Sequence, residues 1–184
     1  MMTFRSKLFL YFALFGNLIF SQQIFFASAT QDYSLREWTL YDSTEAAIGD
    51  FQAVNLPNDA FQSWNLRIGE KSGYIKLRWK ENPEQYDLLF DNKRISFSTI
   101  WPKQIDRWKL STDSHLYELS FQIDEDGYKA TLINSKNEPI LILNNEFVMD
   151  PRDWIFTYTS LDCSDELSIA TVFLVINNCL LLSR

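Results

Sequence analysis

The chain has 184 residues, of which 46% are hydrophobic, 16% aromatic and 22% charged, and its formal net charge is −7. This length accommodates one domain with a real core, and the aromatic content excludes a disordered chain. Two cysteines exclude a disulfide-framework miniprotein, one histidine beside them argues against a zinc cluster, and five glycines exclude collagen-like repeats.

At the N-terminus, Arg5 and Lys7 are the only charges in the first 29 residues. They precede an apolar run from Leu8 to Phe20, broken only by Gly16 and Asn17, and a more polar stretch that ends in Ala27-Ser28-Ala29. This is the layout of a secretory signal: basic start, apolar middle, small residues at the cut. The expected organisation is therefore a signal over 1–29, cut after Ala29, and one domain over 30–184. The rival is an uncleaved anchor, which Ile24, Phe25 and Phe26 keep open by lengthening the segment. Leu8–Phe20 alone falls short of the roughly 20 residues that span a bilayer. No cysteine lies near the cut, which argues against a lipoprotein. The remaining 155 residues carry a net charge of −9. An acidic chain lacks the clustered Lys and Arg that bind nucleic acid or anionic membranes. The expected location is periplasmic or extracellular.

From Trp64 onward the dominant pattern is period-two alternation. Trp64, Leu66 and Ile68 alternate with Ser63, Asn65 and Arg67; Ile75, Leu77 and Trp79 alternate with Lys76, Arg78 and Lys80. The same rhythm runs through Tyr86-x-Leu88-x-Phe90, Ile95-x-Phe97-x-Thr99, Trp108-x-Leu110, Tyr117-x-Leu119-x-Phe121-x-Ile123, Tyr128-x-Ala130-x-Leu132 and Trp154-x-Phe156-x-Tyr158. Strict alternation buries one face and wets the other, as in antiparallel sheet. Turn-forming clusters separate the runs, among them Asp91-Asn92-Lys93, Asp124-Glu125-Asp126-Gly127 and Ser135-Lys136-Asn137-Glu138. About eleven strands are expected between Tyr33 and Thr159, with sequence neighbours paired. A closed antiparallel barrel of about 11–12 strands fits this spacing, with a lipocalin-like open barrel or a β-sandwich as alternatives.

The last segment breaks the rhythm. Leu167 to Leu182 is apolar on all sides, and Ser164, Asp165 and Glu166 before it suit an N-cap and an acidic first turn. Three readings compete: a C-terminal apolar helix over 164–183 inside the barrel, a hairpin turning at Asn177-Asn178, and a membrane anchor. A helix apolar all round must be buried on all sides.

Many short antiparallel strands followed by one apolar terminal segment resemble the tubby C-terminal-like superfamily, which includes tubby proteins, phospholipid scramblases and LURP-one-related proteins. The most specific piece is Asp153-Trp154-Ile155-Phe156-Thr157-Tyr158, then Asp165-Glu166-Leu167-Ser168-Ile169-Ala170-Thr171-Val172-Phe173. The resemblance covers nearly all of 33–184 and implies a closed barrel of about twelve strands around a buried C-terminal helix. Two features depart from the family. Its members are mostly intracellular or membrane-attached, whereas this chain carries an export-like segment. Tubby proteins bind phosphoinositides through basic residues, whereas this chain is acidic.

Candidate chemistry is sparse. Lys76, Arg78 and Lys80 share one strand face, with Lys71 just before and Arg67 on the preceding strand. They read either as an anion or lipid-headgroup site or as a solvated strand face. Asp124-Glu125-Asp126-Gly127 lacks the further acids of a calcium loop. Asp113, Ser114 and His115 sit side by side, where a catalytic triad needs side chains that converge from separate places. Cys163 and Cys179, if spaced along one helix, stand about 24 Å apart at 1.5 Å per residue, beyond the reach of a disulfide. No motif for a phosphate loop, dinucleotide or metal is present, so no cofactor and no metal are expected. The expected role is an exported, non-catalytic binding or structural protein of a bacterial envelope, with a lipid or protein partner there. The alternatives are a carrier holding an apolar ligand in the barrel, and a carboxylate-dependent hydrolase.

Overall fold

The computed structural model describes residues 23–32, 34–54, 63–79 and 82–182. Twelve strands follow one another: β1 (Phe26–Gln31), β2 (Ser34–Tyr41), β3 (Ala47–Ala53), β4 (Ser63–Ile68), β5 (Lys71–Trp79), β6 (Asn82–Phe90), β7 (Lys93–Thr99), β8 (Arg107–Ser111), β9 (Leu116–Asp124), β10 (Gly127–Ile133), β11 (Pro139–Asn145) and β12 (Asp153–Tyr158). The helix α1 (Asp165–Leu182) follows them. Every strand pairs with its sequence neighbour, and β1 pairs with β12, so the sheet closes into an antiparallel barrel. Neither a sandwich nor an open sheet forms.

Up-and-down connectivity puts alternate connections at opposite ends. The end where β12 delivers the chain into α1 is called the upper end here. The turns are built by residues that tolerate left-handed backbone. Asp91 and Asn92, between β6 and β7, have φ of 48° and 62°, the two-residue arrangement that matches the twist of a hairpin. Gly127 opens β10 with φ 118°, and a Cβ there would come within 2.5 Å of Asn145 Oδ1. That same oxygen accepts the Tyr128 N–H at 2.7 Å.

The alternating apolar residues face inward and pack on α1. Trp38, Trp64, Trp108 and Trp154 are each at most 1% exposed; the last three stand at the lower end of β4, β8 and β12, and Trp38 near the middle of β2. Three of them donate their indole N–H to the carbonyl three residues earlier: Trp38 to Leu35 (2.8 Å), Trp108 to Ile105 (2.7 Å) and Trp154 to Pro151 (2.9 Å). Each ring thus buries its apolar body while its one polar atom ties down the preceding backbone. Trp79 departs from the pattern read in the sequence. The ladder shifts register between Leu77 and Trp79, and the indole ends up 62% exposed.

Inside the barrel, α1 adopts the buried-helix reading. Phe173 is fully buried and Ile176 is 1% exposed. Phe173 meets the rings of Phe51, Trp64, Tyr86 and Phe97 at centroid distances of 6.1, 5.9, 4.9 and 5.6 Å. The hairpin reading fails for a physical reason. All twelve strands are already paired with one another, so an interior strand would find no edge to bond, whereas a helix satisfies its own backbone. Its buried hydroxyls bond back into the helix or its approach: Ser168 to the Ser164 carbonyl at 3.2 Å, Thr171 to that of Leu167 at 2.8 Å. Asn178 Oδ1 accepts the Trp108 indole N–H at 3.3 Å. Among the described residues, no helix is long and apolar enough to cross a membrane.

Phe26–Ala29, which the sequence reading places at the end of an export signal, form four of the six residues of β1.

Deleting Ser164–Arg184 should abolish cooperative unfolding, since the barrel would lose its core. Phe173→Ala should cost about 3–5 kcal/mol in urea denaturation. A loss below about 1 kcal/mol would mean that Phe173 is not the packing centre.

Candidate functional site

The upper mouth of the barrel gathers the charged groups. Asp165 and Glu166 occupy the first turn of α1, where the helix dipole favours negative charge. Two lysines from the surrounding rim reach toward them. Lys71, opening β5, lies 3.7 Å from Asp165 and 3.5 Å from Asp91. Lys93, opening β7, lies 2.8 Å from Glu166. The Glu166 side chain is 5% exposed and that of Lys93 66%, so the carboxylate carries the cost of desolvation. Burial pushes the Glu166 carboxyl up, but hydrogen bonds from Lys93 and Ser164 outweigh it and hold the group below its ordinary value. The same Glu166 bond raises Lys93.

Beside this pair the Tyr158 hydroxyl donates to the Ile24 carbonyl at 2.7 Å and lies 3.1 Å from Ser168 Oγ. One half-buried cluster therefore joins the first described residues, the last strand and the helix. Cys163 and Cys179 are both free and buried. Burial pushes their thiols up to about 11 and about 12, so neither supplies thiolate at neutral pH.

A surface cleft of about 600 Å³ opens next to the mouth, lined by Lys93, His115, Tyr117, Lys136, Asp162 and Glu166 among others. Ser114 also lines it, with its Oγ 2.6 Å from His115 Nδ1. This contact joins chain neighbours on an exposed turn. Among the described residues no carboxylate hydrogen-bonds the imidazole, so the arrangement lacks the orienting acid of a triad. Asp124, Glu125, Asp126 and Gly127 form the turn between β9 and β10, and Asp124 Oδ1 accepts the Asp126 N–H at 2.9 Å. No group of three or more His, Cys, Asp or Glu side chains among the described residues is placed to hold a metal ion.

The basic residues of β4 and β5 do not converge on a shared opening. Arg67 pairs with Asp50 on β3 at 3.1 Å. Lys71 turns into the mouth as described. Lys76 sits over the Tyr74 ring, 4.7 Å from its centroid. Arg78 grips Asp87 on β6 at 2.5 and 3.1 Å. Lys80 lies outside the described residues. Asp87 is the hub of this face, also receiving Arg94 at 3.0 Å and Ser96 at 2.6 Å from β7. Burial alone would raise its carboxyl, but these donors together hold it at about 2. The sequence reading missed Asp87 and the Lys93–Glu166 pair. The β5–β6–β7 register, which sets Lys76 and Ser96 on either side of Asp87, was the available signal for the first.

The lower end has a different character. Trp79 at the end of β5, Trp101 between β7 and β8, and Phe147, Val148 and Met149 between β11 and β12 are each more than half exposed. No protein family, no curated protein and no solved structure matches this chain.

Lys93→Ala and Glu166→Gln should differ in cost. The first leaves a buried carboxylate without its cation and should destabilise by about 1–3 kcal/mol; the second frees a lysine that water can solvate, and should cost less. Glu166 contributes stability that is complete above the ordinary carboxylate range and is lost as pH falls through its lowered value. Lys93→Ala should therefore flatten the acid limb of the stability–pH curve. Equal costs for the two variants would show that burial of Glu166 is not the governing asymmetry.

Proposed function

We propose that the chain is an exported, non-catalytic binding or structural protein of a bacterial envelope, with a barrel of the tubby C-terminal-like kind. The observation that carries this reading is the occupation of the barrel by α1. An interior packed around Phe173 leaves the described barrel without the apolar cavity on which a lipocalin-type carrier depends. The order of final strand, acidic turn and buried apolar helix supports the family reading. The acidic balance and the apolar N-terminal run support export.

The ionised groups also favour a non-catalytic role. Arg67, Lys71, Lys93 and Arg78 face carboxylates of their own chain, so the basic face is neutralised from within and offers an external anion little free charge. The exposed aromatic side chains of the lower end support binding of an envelope lipid or protein over a purely scaffolding role, because tryptophan with one apolar side and one polar atom is favoured at such contacts.

A fluorescent fatty acid titrated into the folded protein tests the central point. The expected result is no saturable change in emission. Saturable one-to-one binding at micromolar concentration would replace this reading with the carrier.

A further inference from the structure

We infer that the turn joining β11 to β12 is a docking ridge for a cationic amphipathic segment of a partner protein. This deepens the binding role proposed above and rests on it. The ridge is made of residues that a turn ordinarily avoids. The Asp150 N–H donates to the Phe147 carbonyl at 3.0 Å, which closes the four-residue turn Phe147-Val148-Met149-Asp150. Met149 takes its third place with φ 61°, a place that favours Gly or Asn. Phe147, Val148 and Met149 are 57%, 64% and 54% exposed. Other hairpin tips of this barrel, such as Asp91-Asn92 and Ser135-Lys136-Asn137, are polar, as turn chemistry favours.

The surroundings extend the apolar surface and set its charge. Asn145, just before the turn, donates its amide to the Phe147 carbonyl and accepts the Tyr128 N–H at 2.7 Å. Tyr128 faces Ile123 across the β9–β10 ladder, and Ile123 is exposed as well. The β9–β10 turn is thereby fastened against the ridge. That turn carries Asp124, Glu125 and Asp126, and Glu146 stands at the start of the ridge; all four are exposed. Among the described residues none of these four carboxylates forms an ion pair. Arg152 is held by Asp150 at 2.6 Å and Asp32 at 3.3 Å. Lys129 on β10 is the base closest in sequence to the acidic turn, and the four carboxylates outnumber it. The outer faces of the strands show the opposite pattern: Asp50, Asp87 and Glu118 each meet an arginine of a neighbouring strand.

These two properties select the occupant. Exposed apolar surface rimmed by polar groups marks a contact site, and unpaired carboxylates around it favour positive charge and repel negative. An anionic membrane and an acidic partner are both disfavoured. A segment with apolar residues along one face and Lys or Arg along its flanks meets both demands. Its apolar stripe covers Phe147, Val148, Met149 and Ile123, and its cations reach the acids. The Asn145 amide and the Asp150–Arg152 pair hold the turn at both ends, so little freedom is lost when the ridge is covered.

The test titrates the folded chain into a labelled synthetic helical peptide of lysine and leucine, its leucines along one face, and reads fluorescence anisotropy. Saturable binding that weakens as salt rises is expected. Phe147→Ser with Val148→Ser should weaken it about tenfold. Asp124→Asn, Glu125→Gln and Asp126→Asn together should weaken it about tenfold and flatten its salt dependence. All these side chains are exposed, so the variants should keep the parent melting temperature. Leu161→Ser with Asp113→Asn, at the upper end, should leave the affinity unchanged. Absence of saturable binding, equal binding of a glutamate–leucine counterpart, or indifference to the ridge variants would overturn the inference. So would binding of phosphatidylcholine vesicles through the ridge, which makes the occupant a bilayer. Dimerisation that is lost in the ridge variant would overturn it too, because the occupant is then a second copy of this chain. Saturable uptake of the fluorescent fatty acid overturns the filled-barrel role and leaves the ridge standing; loss of ridge binding alone does the reverse.

Discussion

A helix with no polar face can persist in water only where something else encloses it. The run from Leu167 to Cys179 has that character, and a closed sheet is the simplest enclosure that leaves no backbone edge inside. The rest of the architecture follows from this constraint. The strands must alternate, because their inner face meets the helix and their outer face meets water. The sheet must close, because any gap would expose the helix flank. The first strand must therefore return to the last, which is the β1–β12 pairing.

The charges at the upper mouth meet a second demand of the same helix. Its opening N–H groups and dipole attract negative charge, which Asp165 and Glu166 supply, but one of those acids is buried as a result. Lys93 and Lys71 stand on the rim with their ammonium groups partly in water, a cheaper arrangement than a wholly buried ion pair. The outer face has its own solution. Asp87 stands between arginines from both neighbouring strands, which ties β5, β6 and β7 together without drawing on the core.

The legible parts of the sequence were those governed by local rhythm. Trp64-x-Leu66-x-Ile68 and Tyr86-x-Leu88-x-Phe90 announce an inner face because strand geometry repeats every two residues. The apolar terminal helix was legible as buried, although its adjacent asparagines also suited a turn. The buried setting decides between the two, since a strand there would have no partner. Three features were hidden. Trp79 follows the alternation on paper, but a register shift two residues earlier turns it out to solvent. Phe26–Ala29 read as the end of an export signal because small and apolar residues next to an apolar run look alike whether a peptidase or a core selects them. The Lys93–Glu166 pair joins residues far apart in sequence, and no periodicity reports such a contact.

The closure of β1 on β12 bears on how the chain reaches this state. The two strands that complete the ring stand at opposite ends of the chain, and the helix that fills the ring comes later still. The hairpins between neighbouring strands can form early, but the closing pair and the core filling cannot, and closure joins sites of the greatest sequence separation. Closing the ring is therefore the step that pays the largest loop-closure entropy. Until α1 arrives, the inward faces of up to twelve strands remain without their filling. A chain built this way completes its shape only when its last residues have joined its first.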